Sequence, residues 1–180
     1  LEIDSVNPSS DNDIFEKVKD LGKYDGLIWG GSSLNIYSDT IEIKRQIDFM
    51  RECQKKVKNI LAICWGLQVA VTAAGGEVKK GSNGAHRGIA HEVVINSYGL
   101  KHLLYKDKNQ TFHTPAFNYD EVVTLPKDSI LLSSNKINRV MGLNFKTEMS
   151  DIWGIQYHPE ITYEKMLTLI NFRKKRLLQN

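Results

Sequence analysis

The stretch Asn59-Ile60-Leu61-Ala62-Ile63-Cys64-Trp65-Gly66-Leu67-Gln68 decides the fold. Residues 59–63 form a short apolar run without polar alternation, the pattern of a strand buried on both faces of a parallel sheet. Residues 67–74 follow as a helical stretch, and Gly75 with Gly76 supplies the left-handed conformation that closes a helix. Between them stand only Cys64, Trp65 and Gly66. A strand that becomes a helix across so short a turn is the start of a βα unit.

The chain on either side fits that unit. Upstream, residues 25–29 read as a strand that stops at Gly30-Gly31, and residues 39–56 as a helix with Ile43, Ile47 and Met50 at helical spacing. A short helix is expected over residues 14–21 and a strand over residues 1–6. Downstream, residues 92–95, 122–124, 130–133, 140–144 and 152–156 are strand-like pieces parted by turn residues such as Pro126-Lys127-Asp128. A helix is expected over residues 162–178. The fold class is therefore α/β, an open, mostly parallel, doubly wound sheet with helices on both faces. With 180 residues, one domain spanning 1–180 is the natural expectation.

Composition excludes several function classes. The chain is 41% hydrophobic and 25% charged, as in ordinary globular proteins. A net charge of +3, from 24 Lys and Arg against 21 Asp and Glu, is too small to argue for nucleic acid. The basic run at residues 173–176 reads as a solvated helix end, well placed against the helix dipole. Two cysteines cannot build a disulfide framework or a cysteine-based zinc site, so free thiols in a reducing, cytoplasmic setting are expected. No apolar run approaches the roughly 20 residues that cross a bilayer, so no membrane partner is expected.

Three pieces of sequence carry chemistry. Cys64 sits where a buried strand meets a helix, an elbow that projects a side chain from the carboxyl edge of the sheet and lets helix N–H groups favour a thiolate. Gly66 allows the chain to turn there. The alternative is a cysteine buried for packing, the commoner fate of the residue and the reading given to Cys53. The second piece, Trp153-Gly154-Ile155-Gln156-Tyr157-His158-Pro159-Glu160, ends a strand with an imidazole and a carboxylate. A thiol needs such a base, and the base needs a partner on its second nitrogen. The third is Gly30-Gly31-Ser32, where glycine lets backbone N–H groups approach an oxyanion closely.

In this order, Gly30-Gly31, Ala62-Ile63-Cys64-Trp65-Gly66-Leu67-Gln68 and Gly154-Ile155-Gln156-Tyr157-His158-Pro159-Glu160 resemble the class I glutamine amidotransferases over nearly the whole chain. The resemblance implies that Cys64 is the nucleophile, His158 the general base and acid, and Glu160 its orienting group. It implies backbone amides of Gly31 and Trp65 as the oxyanion hole, and Gly30 and Gln68 as holders of substrate glutamine. A γ-glutamyl thioester on Cys64 would release ammonia and then be hydrolysed, and the resemblance implies no metal or organic cofactor for this half-reaction. Asn118-Tyr119-Asp120-Glu121-Val122 with Leu125-Pro126 is similar to the His-x-Asp-x-Val-x-x-Leu-Pro stretch of GMP-synthase-like members, which adds Tyr119 and Asp120 to the substrate-facing residues. Asn118 replaces the usual His and Ala62 the frequent Gly. The same resemblance implies a strand and helix ahead of Leu1, and it leaves three fates for the ammonia: a synthetase partner that receives it, a further domain that does so, or release by a simple glutaminase. Two other readings stay open: a γ-glutamyl peptidase or hydrolase with the same machinery, and a silent module that binds a synthetase.

Overall fold

The computed structural model describes residues 2–178. Its strands are β1 (Leu27–Trp29), β2 (Asn59–Ile63), β3 (Glu77–Lys80), β4 (His86–Ile95), β5 (Thr111–Asn118), β6 (Asp120–Thr124), β7 (Ile130–Ser134), β8 (Gly142–Lys146) and β9 (Asp151–Ile155). The α-helices are α1 (Ile14–Lys17), α2 (Ile41–Lys56), α3 (Trp65–Ala73) and α4 (Tyr163–Leu178). Seven strands form one sheet in the order β1-β2-β9-β8-β7-β4-β5, and β3 pairs with β6 in a separate ribbon. β1, β2 and β9 are parallel neighbours, and the other pairings in the large sheet are antiparallel. Following those pairings, β1, β2, β9, β7 and β5 run one way and β8 and β4 the other, which is the α/β architecture read from the first half of the sequence.

The strand–helix unit forms for the reasons its sequence carries. Alternate residues of β2 serve two cores. Ile60 and Ala62 join the cluster under α2 and α3, and Ile63 joins a second cluster with Val93, Leu132 and Ile155. The α2 stripe of Ile43, Met50 and Cys53 is buried against the first cluster, with Ile47 partly buried beside it. Cys53 is therefore a packing residue, as expected. At the end of α3 the N–H of Gly75 bonds Thr72 and that of Gly76 bonds Val71, with Gly75 at φ +83°, the left-handed closure the glycine pair predicts.

Elsewhere the boundaries differ from the sequence reading. Residues 2–6 form no strand: they are exposed throughout and gain neither a partner edge nor burial, while Leu1 lies outside the described residues. The helix expected over residues 14–21 shrinks to α1, with a 3₁₀ turn at Leu21–Lys23. β4 is far longer than residues 92–95, because Glu92 at φ +50° makes a bulge that breaks the alternation by which the strand would be recognised. β5 contains Pro115 and tolerates it because the strand lies at the sheet edge.

α4 packs on β4, where Gly88 at φ +148° leaves room for Ile170. Among the described residues no α-helix covers the row Ile28, Leu61 and Trp153, which are lateral neighbours on β1, β2 and β9; the 3₁₀ turn Leu103–Tyr105 lies beside it, and the His102 ring packs on Trp153 at 4.8 Å. That row opens on a cavity of about 880 Å³, also lined by Ile3, Leu103 and Leu104.

Candidate active site

β2 and β9 are hydrogen-bonded parallel neighbours, so the residues that follow them emerge at one edge of the sheet. Cys64 follows β2 at once, and its N–H bonds the Ile155 carbonyl at the end of β9 at 2.7 Å. His158 follows β9, and its N–H donates to the Pro115 carbonyl of β5 at 2.8 Å. The hydrogen-bond ladder thus gathers residues some ninety positions apart.

The elbow is made by Cys64 itself, at φ 54° and ψ −103°, a conformation a non-glycine residue holds only under constraint. This corrects the turning role expected of Gly66. Gly66 lies within α3, and a Cβ there would strike the Trp29 carbonyl, so glycine is needed to seat the helix on β1. Trp65 is buried, and its indole N–H donates to Gln46 Oε1 at 2.8 Å, pinning the start of α3 to α2.

His158 is 8% exposed, and its Nδ1–H donates to Glu160 Oε1 at 2.6 Å. With Nδ1 so engaged, Nε2 is left as the ring's acceptor. A Cβ on Gly31 would come within 2.8 Å of His158 Cε1, so only glycine lets this loop approach the imidazole. The Cys64 thiol donates to the Phe117 carbonyl at 3.8 Å, and the Phe117 ring lies 6.5 Å from that of His158. Burial pushes the Cys64 thiol up to about 12, opposed by the N–H of Trp65 at the start of α3 and by the Gln156 amide, while the Glu160 carboxylate adds to the rise. The helix start thus acts in the expected direction, but desolvation outweighs it.

A cleft of about 70 Å³ opens beside Cys64, with Trp65, Gln68, Phe117, Tyr119 and Asp120 in its walls. Residues 32–35 supply the loop side, whereas Gly30 stands in open space and is not part of the lining. Asp120 accepts a hydrogen bond from the Tyr37 hydroxyl at 3.0 Å, and burial raises its carboxyl above the ordinary range. The Tyr119 hydroxyl is buried without a partner. Asn118, which stands where the resemblance leads one to expect His, is held by one: His86 Nδ1–H donates to Asn118 Oδ1 at 2.9 Å and Asn135 Nδ2 donates to His86 Nε2 at 2.9 Å. Asn118 Nδ2 then donates to the Asp120 carbonyl at 2.9 Å, which ties this network to the start of β6.

Sequence reasoning misses three residues here. Gln156 is fully buried, its Oε1 takes a hydrogen bond from Gln68 Nε2 at 3.5 Å, and its own Nε2 has no partner. His86 carries no signal, because a lone histidine in a strand pattern is usually structural. Arg173, expected in a solvated helix end, lines the cleft instead. Lys174 and Lys175 beside it are exposed. Among the described residues no three His, Cys, Asp or Glu side chains converge as metal ligands, and no helix is long and apolar enough to cross a membrane.

A cysteine on a strained elbow, at the same sheet edge as a histidine held by a carboxylate, has the group types that hydrolysis of an amide through a thioester requires. Residues 2–175 match the family model for glutamine amidotransferase class-I.

The chain belongs to the class I glutamine amidotransferase family.

Within the family, it is 34% identical over 145 residues to a gamma-glutamyl-L-1-hydroxyisopropylamide hydrolase of a Pseudomonas species, covering 79% of this chain and 49% of that protein. It is 30% identical over 104 residues to a glutamine-hydrolyzing GMP synthase subunit of Methanoculleus marisnigri, covering 58% of this chain and 53% of the relative. The chain thus spans about half the length of these curated relatives. A crystal structure of a glutamine amidotransferase from Thermotoga maritima shares the fold of this class I member with a TM-score of 0.72 and 21% identity, covering 87% of this chain and 65% of that one.

Proposed function

We propose that this family member hydrolyses the side-chain amide of glutamine through a thioester on Cys64. The observation that carries the reading is the 2.6 Å His158–Glu160 pair at the same sheet edge as the strained Cys64 elbow. His158 Nε2 takes the thiol proton as sulfur attacks the δ-carbonyl carbon. The charge on the carbonyl oxygen is met by the backbone N–H groups of Gly31 and Trp65. Collapse of the tetrahedral adduct breaks the C–N bond, and His158 returns the proton to nitrogen, so ammonia leaves. Water, deprotonated by the same imidazole, then cleaves the thioester to give glutamate and the free thiol. Glu160 holds the Nδ1–H throughout and offsets the imidazolium charge. Gln68, Tyr119, Asp120 and residues 32–35 of the loop that follows Gly30 serve substrate binding in this reading. A synthetase partner that uses the ammonia and a cytoplasmic setting for the two free thiols complete it.

The test is ammonia release from L-glutamine together with mass-spectrometric capture of Cys64 by 6-diazo-5-oxo-L-norleucine. Both are expected in the wild type and neither in Cys64→Ser or His158→Gln. Labelling confined to another residue would sink the proposal.

A second reading is favoured by the 34% identity to a γ-glutamyl amide hydrolase. In it the same thioester forms from an N-substituted γ-glutamyl amide, and the first product is an amine. Cleavage of γ-glutamyl alkylamides without glutaminase activity selects this reading over the first.

A further inference from the structure

The inner face of α4 ends in a charge. Met166 is buried, Ile170 fills the space above Gly88, and Arg173 follows one turn later on the same stripe. An apolar residue would continue that pattern. Arg173 instead lays its guanidinium over the Phe117 ring, 5.8 Å from the centroid, and lines the cleft beside Cys64. Phe117 is the residue whose carbonyl receives the Cys64 thiol and whose ring neighbours His158. The guanidinium is thus one side chain away from the reacting groups, on a helix whose register is fixed by Ile170.

Arg173 and Asp120 are the charged side chains of the cleft lining among the described residues, and they have opposite signs. The Tyr37 hydroxyl donates to one Asp120 carboxylate oxygen and so orients the group at the cleft, with the charge of Lys80 also acting on it. An α-amino acid carries one positive and one negative group on a single carbon, the complement in sign of these two cleft residues. Resting on the reading that the substrate is a γ-glutamyl amide, we propose that Arg173 is a specificity-determining residue that receives its α-carboxylate while Asp120 receives its α-ammonium group. A half-buried guanidinium suits this role because its fixed fork pairs with a carboxylate through two hydrogen bonds, and its stacking on Phe117 limits the entropy lost on binding.

The experiment compares wild type, Arg173→Gln and Arg173→Lys on L-glutamine and L-glutaminamide, whose α-carboxylate is replaced by a neutral amide. It also compares γ-glutamylglycine with γ-glutamylmethylamide, which differ in a leaving-group carboxylate. For Arg173→Gln, KM for glutamine is expected to rise about 10- to 100-fold with kcat nearly kept, while glutaminamide changes little. Arg173→Lys restores part of the difference. Equal rises for glutamine and glutaminamide overturn the assignment, as does a loss of discrimination confined to the glycine and methylamide pair, which makes the guanidinium a reader of the leaving group. Two measurements separate a loosened helix from a lost contact: the melting temperature and the rate of Cys64 alkylation by uncharged iodoacetamide, both expected to hold. Calorimetric binding of L-glutamate and L-isoglutamine, its α-amide, needs no turnover. If Arg173→Gln erases the preference for glutamate, the inference stands even for a chain that hydrolyses nothing. If the preference survives the substitution, the inference fails even though hydrolysis proceeds.

Discussion

At the residue scale, the two thiols set an alkaline limit. Burial pushes both Cys53 and Cys64 up to about 12, from an ordinary value of 9.0. Below pH 9 folded and unfolded chains both hold these protons. Between pH 9 and 12 the unfolded chain loses them first, so stability falls as pH rises, by up to about 1.4 kcal/mol per thiol per pH unit. Urea melts at successive pH values are expected to follow this slope, and Cys53→Ala to remove its share. A wild-type slope that survives both cysteine substitutions would assign the loss to other groups. Gln156 acts on the same atom. Its amide N–H has no other partner and pulls the thiol down against the effect of burial, so Gln156→Leu is expected to slow alkylation of Cys64 at a given pH by about 3- to 10-fold. An unchanged pH–rate profile would leave the glutamine a packing role only. Cys64, His158 and Glu160 are legible in the sequence because each belongs to a motif whose members are sequence neighbours. Gln156 lies within such a motif, but nothing in a sequence says that its amide would lack a partner.

Elements join through polar ties that no periodicity announces. His86 of β4, Asn118 of β5 and Asn135 of the loop after β7 form one buried network. Desolvation lowers the His86 pKa below its ordinary value of 6.5. The imidazole is therefore neutral in the folded chain, the stability it contributes is complete above pH 6.5, and it is lost as pH falls below that value. His86→Gln is expected to cost about 1–3 kcal/mol at pH 7 and to flatten the loss of stability between pH 7 and 5. A slope as steep as that of the wild type would detach His86 from the acid sensitivity. The antiparallel half of the sheet is only partly legible for a related reason. The bulge at Glu92 and the edge proline Pro115 disturb the alternation by which strands are read, and both are allowed by where β4 and β5 lie in the sheet.

For the whole molecule, the decisive feature is an apolar row with no α-helix over it among the described residues. Ile28 and Leu103 are each 71% exposed beside the cavity that Leu61 and Trp153 line. Apolar surface of this kind binds hydrophobic probes and other proteins. The 180-residue chain is expected to enhance anilinonaphthalene sulfonate fluorescence and to self-associate with rising concentration, and Ile28→Lys with Leu103→Lys to suppress both. A wild type that binds no dye and sediments as a monomer throughout would show the face to be closed in solution. By itself the sequence determined the βα elbow, the α/β class and the three residues proposed for catalysis, because strand, turn and motif are encoded by side chains adjacent along the chain. Only the tertiary structure decided that Cys64 rather than Gly66 takes the strained turn, that Arg173 points to the cleft while its neighbours face solvent, and that burial outweighs the helix start at the thiol. Those outcomes depend on which distant groups the sheet brings together and on how much water it removes from them.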